Sequence, residues 1–318
     1  MDSQAHCSIC KSTDYKTILA EEKMFGMGGR FSYRECAACG HVELSEIPQD
    51  IVRYYPENYY SFRRPSAIKT YLKSKRAAHS HGRHSVLGAL MEKKLGPDPT
   101  VAWFKHAEVK LSDRILDVGC GSGIFLRDLQ YCGFDSIMGV DPYIDRDYQY
   151  GAIKIKKMSV FDLKDQFDFI MLNHSFEHML EPMRIMQQLS RLIAEDGTVL
   201  IRVPVIGEAW SIYKENWVGL DAPRHFFIPS LNSFSMMVQK SGFAIKSVVF
   251  DSTEFQFWAS EQYRKNIPLE SPQSYDRNPK GSIFTPDQIQ QFSQRSADLN
   301  RQGKGDQASF YLKKEAAL

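Results

Sequence analysis

The string Asp117-Val-Gly-Cys-Gly-Ser-Gly123 places three glycines at alternate positions behind an aspartate. Glycines 119, 121 and 123 permit a tight turn and let a ligand approach the backbone closely. A helix opening directly behind them presents unpaired N–H groups and the positive end of its dipole, which suits a carboxylate or a phosphate. Asp141 follows 24 residues after Asp117, at the end of the next β-branched run. A carboxylate at such a strand end accepts hydrogen bonds from both ribose hydroxyls of a nucleoside. The third glycine falls one residue early for G-x-G-x-x-G, and position 124 is Ile, which disfavours a nicotinamide dinucleotide. There is no G-x-x-x-x-G-K-[ST] string. A glycine turn with a purely structural role is the competing reading, and Asp141 weighs against it.

A second group of reactive side chains lies near the N-terminus. Four of the six cysteines form two Cys-x-x-Cys pairs, Cys7/Cys10 and Cys36/Cys39, with 25 residues between them. Four thiolates at this spacing make a closed tetrahedral zinc site, in which no position stays open for water. The zinc is therefore expected to be structural, a staple for a segment too short to build a secure core. A redox dithiol is the alternative, but that motif usually opens a helix in a βαβ unit. His6 and His41 flank the pairs and would serve as ligands only if a cysteine dropped out. Cys120 sits inside the glycine turn, and Cys132 reads as a small core residue.

Histidine supplies the third chemical group. His225 lies in Asp221-Ala-Pro-Arg-His-Phe-Phe, beyond an expected strand end, where segments line the ligand crevice of an open α/β sheet. Imidazole titrates near neutrality, as a general base should. His178, in Glu177-His178, is the second candidate. The ordinary reading of His225 is a histidine that holds a loop through hydrogen bonds, and that of Glu177-His178 is a helix start with Glu near the N-terminal dipole. Arg224 suits an anionic substrate, or simply Asp221. Trp210, Tyr213 and Trp217 would form either an acceptor wall or loop packing.

The elements that must position these groups follow from pattern. Short β-branched runs alternate with helical stretches from about residue 112, which points to a parallel α/β sheet. Strands are expected at 114–118, 136–140, 153–160, 167–172, 198–203, 243–250 and 308–312. A helix is expected at 124–131, stopped by Gly133. Another starts at Pro182, and a third is capped by Ser230 and stopped by Gly242. A turn is expected at Asp196-Gly197. Three regions emerge: a zinc ribbon over 1–48, an aromatic and basic linker with a possible lid role over 49–110, and a catalytic domain over 111–318 with an insertion at about 260–306. The linker opens with Tyr54, Tyr55, Tyr59, Tyr60 and Phe62, and residues 63–84 carry seven Lys or Arg, three His and no acid.

Together these strings resemble a family. ILDVGCGSG, then GVD, then FDFIMLNHSFEHMLEP, then LIAEDGTVLIRVP, look like a class I S-adenosylmethionine-dependent methyltransferase over about 112–313. The resemblance implies a Rossmann-like, seven-stranded, mostly parallel sheet with helices on both faces. It implies that Asp117 and Gly119 to Gly123, Cys120 and Gly121 included, hold the methionine end of S-adenosylmethionine. Asp141 would take the ribose hydroxyls and Asp162 the adenine amino group, while Asn173 and His174 would lie beside the sulfonium. The Pro-Arg-His string resembles the sugar- and quinone-type members of the family, and YYPENYYSF looks like the sugar and surface-polysaccharide group.

The 318 residues carry 40 basic and 38 acidic side chains, a net charge of +2, so no global charge pulls the chain toward nucleic acid or membrane. No run of about 18 apolar residues suggests a membrane span. MDSQAHCSICK has no apolar segment of a secretory signal, so a reducing, cytoplasmic setting is expected. Three functions are carried forward. The first is methyl transfer to a small hydroxylated acceptor such as a sugar, nucleotide-sugar or glycan precursor. The second is an RNA methyltransferase using the ribbon and the basic linker. The third is a non-catalytic zinc-ribbon interaction protein.

Overall fold

The architecture comes from a computed structural model, which describes residues 6–56 and 67–315. Tyr59, Tyr60, Phe62, Arg63 and Arg64 of the expected aromatic and basic linker lie outside the described residues.

An eight-stranded sheet forms the centre. Its strands are β4 (Ile115–Val118), β5 (Ile137–Val140), β6 (Tyr148–Tyr150), β7 (Ile153–Lys156), β8 (Phe167–Asn173), β9 (Ile193–Pro204), β11 (Phe243–Phe250) and β12 (Gln307–Lys314). Their order is β11-β12-β9-β8-β4-β5-β7-β6. The inner strands β9, β8, β4, β5 and β7 run parallel, whereas β12 pairs antiparallel with both β9 and β11. All four side chains of β4, three apolar ones and Asp117, are buried, as its central place in a parallel sheet covered on both faces requires. The chain moves outward from β4 to β5 and β7, then returns to β8 on the other side of β4. A crevice therefore opens beyond the C-terminal ends of β4 and β8, where Asp117 and Asn173 lie.

The expected Rossmann-like, mostly parallel α/β sheet is present, with four local differences. The strand expected at 153–160 ends at Lys156, because Ser159 caps a 3-10 turn over Val160–Asp162. The preceding β6 folds back on β7 and adds an eighth, edge strand. The turn expected at Asp196-Gly197 is absorbed into β9 as a bulge, where the register jumps from Phe167↔Ile193 to Phe169↔Thr198. The helix expected over 124–131 is one α-turn, α4 (Ile124–Arg127), tightening into a 3-10 turn that stops at Gly133.

The helices follow their patterns. α5 (Pro182–Leu192) begins on proline and buries Ile185, Met186, Leu189 and Leu192. α7 (Leu231–Lys240) starts in a capping box between Ser230 and Ser233. The linker supplies α1 (Ala67–Ser80), α2 (Val86–Leu95) and α3 (Pro99–His106). The 260–306 stretch packs as α8 (Phe255–Arg264) and α9 (Pro286–Arg301), with Phe257 stacked on Phe292. Leu269 and Glu270 donate backbone hydrogen bonds to the carbonyls of Lys23 and Met24.

The N-terminal segment forms β1 (Tyr15–Glu21), β2 (Arg30–Cys36) and β3 (Val42–Leu44), an antiparallel sheet. Its fourth strand, β10 (Phe227–Ile228), comes from far along the chain, after β9. Phe227 pairs with Glu43 and Ile228 with Val42. Ribbon and catalytic domain also share one core, in which Cys7, Ile9, Cys36 and Cys39 pack with Phe176, Phe227 and Phe234.

Candidate active site

The glycine turn begins where β4 ends. Gly119 has φ +77°, and a Cβ there would come within 2.5 Å of the Ser175 Cβ. Glycine is therefore demanded both by the left-handed backbone and by the turn after β8, which crosses directly behind it. Ser175 donates its hydroxyl hydrogen to the Val118 carbonyl at 2.7 Å and locks the two strand ends together. Gly123 is also left-handed and leaves no room for a side chain beside Ile155. The Asp141 carboxylate accepts the Gly121 N–H at 3.0 Å and the Tyr143 N–H at 2.8 Å, which orients it over the turn. Asp117 is buried, and burial together with the Asp141 charge pushes its carboxyl up to about 7. The Cys120 thiol bonds to the Gly121 carbonyl and packs against Gly139. Burial raises it well above the usual thiol range, so it is an uncharged filler. Asp162 is exposed and caps its own turn, accepting the Ser159 N–H at 3.1 Å.

Past β8 the chain turns through His174 in a left-handed conformation (φ +50°) and a 3-10 turn over Phe176–His178. This brings Glu177 and His178 to face His225. Glu177 is fully buried. Its Oε1 meets His174 Nδ1 at 3.3 Å and lies 3.9 Å from His225 Nε2, while its Oε2 has no hydrogen-bond partner. Burial works to raise the Glu177 carboxyl, but the His174 hydrogen bond and the neighbouring imidazoles hold it down to about 2. Burial and His225 lower His178 to about 4. His178 is then neutral at pH 7, and the low value for Glu177 rests chiefly on its bond to His174.

The tautomers of the two facing histidines follow from their partners. His225 Nδ1 lies 2.8 Å from the Gly219 carbonyl, and His178 Nδ1 lies 2.8 Å from the Arg224 carbonyl. A carbonyl only accepts, so each Nδ1 carries the hydrogen. In the neutral rings each Nε2 then holds a bare lone pair. The rings are 4.7 Å apart, edge to face.

Sequence reasoning missed the groups that fix this arrangement. Arg202, on β9, bonds to Asp251 at 2.7 Å, to the Asn173 side-chain oxygen at 3.2 Å and to His174 Nε2. Asn173 and His174, expected beside the sulfonium, are thus also tied to a guanidinium. Arg224 is fully buried and unavailable to an anionic substrate. Its guanidinium grips both oxygens of Asp221, Glu22 at 2.9 Å and the Tyr54 carbonyl at 3.0 Å. Trp210 and Tyr213, on α6 (Glu208–Tyr213), and Trp217 form no acceptor wall. They are buried in a core with Phe257 and Trp258, and Trp217 donates to Asp306 at 2.8 Å.

The four cysteines converge as their spacing requires. Cys7 Sγ lies 3.6 Å from Cys39 Sγ, and Cys10 Sγ lies 3.5 Å from Cys36 Sγ. Zn–S bonds of about 2.3 Å set tetrahedral edges near 3.8 Å, so the cluster fits zinc with little adjustment. Burial pushes the Cys7 thiol up to about 11 and Cys39 further. His41 is no ligand: it is fully buried, stacked on Phe227 and near Glu43.

Strand order, glycine turn and paired aspartates define a class I S-adenosylmethionine-dependent methyltransferase. A family model described as a methyltransferase domain matches residues 81–248, more than half of the chain, and the chain belongs to that family. Among curated proteins it is 26% identical over 163 residues to a tRNA U34 carboxymethyltransferase of Idiomarina loihiensis, covering 46% of this chain and 50% of that protein. It is 24% identical over 185 residues to one of Alteromonas mediterranea, covering 51% and 56%. The chain thus spans about half the length of the curated relatives it matches. Among solved structures it is similar to the cyclopropane synthase MmaA2 from Mycobacterium tuberculosis, with a TM-score of 0.41 and 15% identity over 67% of this chain and 84% of that one. The relatives are named for tRNA, and none of those cited acts by name on a sugar. Among the described residues, no helix is long and apolar enough to cross a membrane.

Proposed function

We propose that the chain methylates an O–H or N–H acceptor presented by an RNA, with His225 taking the acceptor's proton. The observation that carries the protic acceptor is the bare Nε2 of His225, fixed by the bond between its Nδ1–H and Gly219. Methyl transfer from a sulfonium is an in-line displacement. The S–CH3 bond breaks, its electron pair stays on sulfur, and the acceptor's lone pair forms the new bond. A hydroxyl or amide acceptor must also shed a proton, for which a positioned base is worth about 10²–10⁴ in rate. His178, with a second bare Nε2 beside it, would hold the acceptor or share the proton.

In this reading Asp117 and the turn from Gly119 through Cys120 and Gly121 to Gly123 hold the methionine end of the cofactor. Asp141 takes the ribose hydroxyls, Asp162 meets the adenine amino group, and Asn173 and His174 border the sulfonium. Cys7, Cys10, Cys36 and Cys39 hold a structural zinc.

The RNA half of the reading is supported by the relatives named for tRNA and by the linker helices. α1 and α2 leave Lys69, Lys73, Lys93 and Lys94 exposed, and Tyr71 on α1 is more than half exposed. Lysines that meet phosphates and an aromatic ring that stacks on a base suit single-stranded or looped RNA. The sugar acceptor expected from Pro-Arg-His and YYPENYYSF has no comparable support. The reading is tested by incubating the protein with methyl-labelled S-adenosylmethionine and either bulk tRNA or a mixture of nucleotide-sugars. Label in the tRNA, suppressed by salt, is the expected result. Label only in the sugar fraction overturns the RNA half.

A further inference from the structure

The carboxylate and imidazoles facing one another beyond β8 make more than an acid–base pair. Glu177, His178 and His225 each offer one ligand atom, and those atoms all lie within 4.8 Å of one another. Three features of the set match a metal site. The Glu177 side chain is fully buried, and its Oε2 has no hydrogen-bond partner. A buried carboxylate oxygen left this way is costly unless a cation completes it. Each histidine donates Nδ1–H to a backbone carbonyl, Gly219 for His225 and Arg224 for His178. That outer contact is the one metal-binding histidines typically make, because it fixes the ring and leaves Nε2 as the donor atom. The nearby guanidinium cannot enter the gap, since Arg224 is held by Asp221, Glu22 and the Tyr54 carbonyl.

We propose that Glu177, His178 and His225 bind a divalent first-row transition cation, such as Mn²⁺ or Zn²⁺, distinct from the ribbon zinc. Two imidazoles and one carboxylate leave open positions on such an ion. Bonds of about 2.0–2.2 Å would draw the three ligand atoms somewhat closer than they now lie. His174 Nδ1 bonds Glu177 Oε1, the oxygen that lies 3.9 Å from His225 Nε2, and so holds the carboxylate in place. An acceptor oxygen in an open position would lose its proton more readily, a task the bare imidazole performs when no ion is bound. The inference shares its crevice with the proposed reaction, but metal binding is read without any acceptor.

The full chain, carrying its ribbon zinc, would be titrated with Mn²⁺ and the free ion followed by electron paramagnetic resonance. One Mn²⁺ per chain is expected. Glu177→Gln and His178→Ala should each weaken that binding at least tenfold, with ribbon zinc content and S-adenosylmethionine affinity unchanged. Affinity for Mn²⁺ that neither variant alters overturns the proposal. So does failure of both Mn²⁺ and Zn²⁺ to bind beyond the ribbon equivalent. Metal binding without label transfer to tRNA would uphold this site and remove only the RNA acceptor.

Discussion

Tyr33, in the second strand of the ribbon, donates its hydroxyl hydrogen to the backbone carbonyl of His225 at 3.0 Å, across 192 residues of chain. Both residues are buried. The bond joins the sheet beside the four-cysteine cluster to the segment that presents the proposed base. Tyr33→Phe leaves the His225 carbonyl without this donor, a loss of roughly 1–3 kcal/mol for a buried group. The expected outcome is a lower melting temperature and a reduced kcat, with S-adenosylmethionine affinity unchanged by calorimetry.

Removal of the ribbon metal should disable catalysis at a distance. β3 pairs with β10, and Ser230 donates to the Cys39 carbonyl, so the four-cysteine cluster braces residues 225–230 from both ends. Cys36→Ser is expected to lower metal content by about one zinc per chain and to reduce turnover by at least about tenfold, because misplacing a catalytic group by about 1 Å can cost roughly 10²-fold. The glycine turn follows β4 rather than β8, so cofactor affinity should change less than turnover.

The buried ion cluster around Arg224 gives a stability prediction. Glu22 accepts from Arg224 at 2.9 Å and also from the Phe25 and Met27 backbone N–H groups. Glu22→Ala removes one of two acidic partners from a fully buried guanidinium. Breaking such a pair from one side costs about 3–5 kcal/mol. Urea denaturation should show that loss as a lower midpoint with an unchanged slope.

Asp117 sets a pH dependence. Its folded carboxyl, pushed up to about 7, lies above its ordinary value of 3.8. The folded chain therefore keeps a proton that the unfolded chain sheds above about pH 4. The stability this contributes is full below that point and is lost as pH rises through 7. Asp117→Asn should raise the melting temperature of the cofactor-free protein at pH 8. If the ionised Asp117 receives the cofactor's ammonium, binding expels the proton. Wild-type affinity should then climb with pH by up to about tenfold per unit below 7, and the variant should lose both affinity and slope.

The parts of the fold that were legible in the sequence are those encoded locally. The apolar run before Asp117, the glycines after it and the Cys-x-x-Cys pairs each state their geometry within a few residues. Partnerships set by the tertiary fold were not legible. Nothing near Phe227 announces that it completes the ribbon sheet opposite Glu43, and nothing near Arg224 announces Glu22. Local charge suggested only Asp221 or a substrate for that arginine. Trp210 and Trp217 looked equally suited to a wall or a core, since an aromatic side chain carries no mark of what covers it. Glu177 and His178 were visible as a string, but only the fold turns them onto His225.

The most direct test of the account compares methyl transfer by the wild-type chain and His225→Ala, with cofactor affinity measured alongside. Turnover at least about 10²-fold lower, at unchanged S-adenosylmethionine affinity, is the result expected of a residue acting on the acceptor's proton. Full turnover in His225→Ala would contradict it.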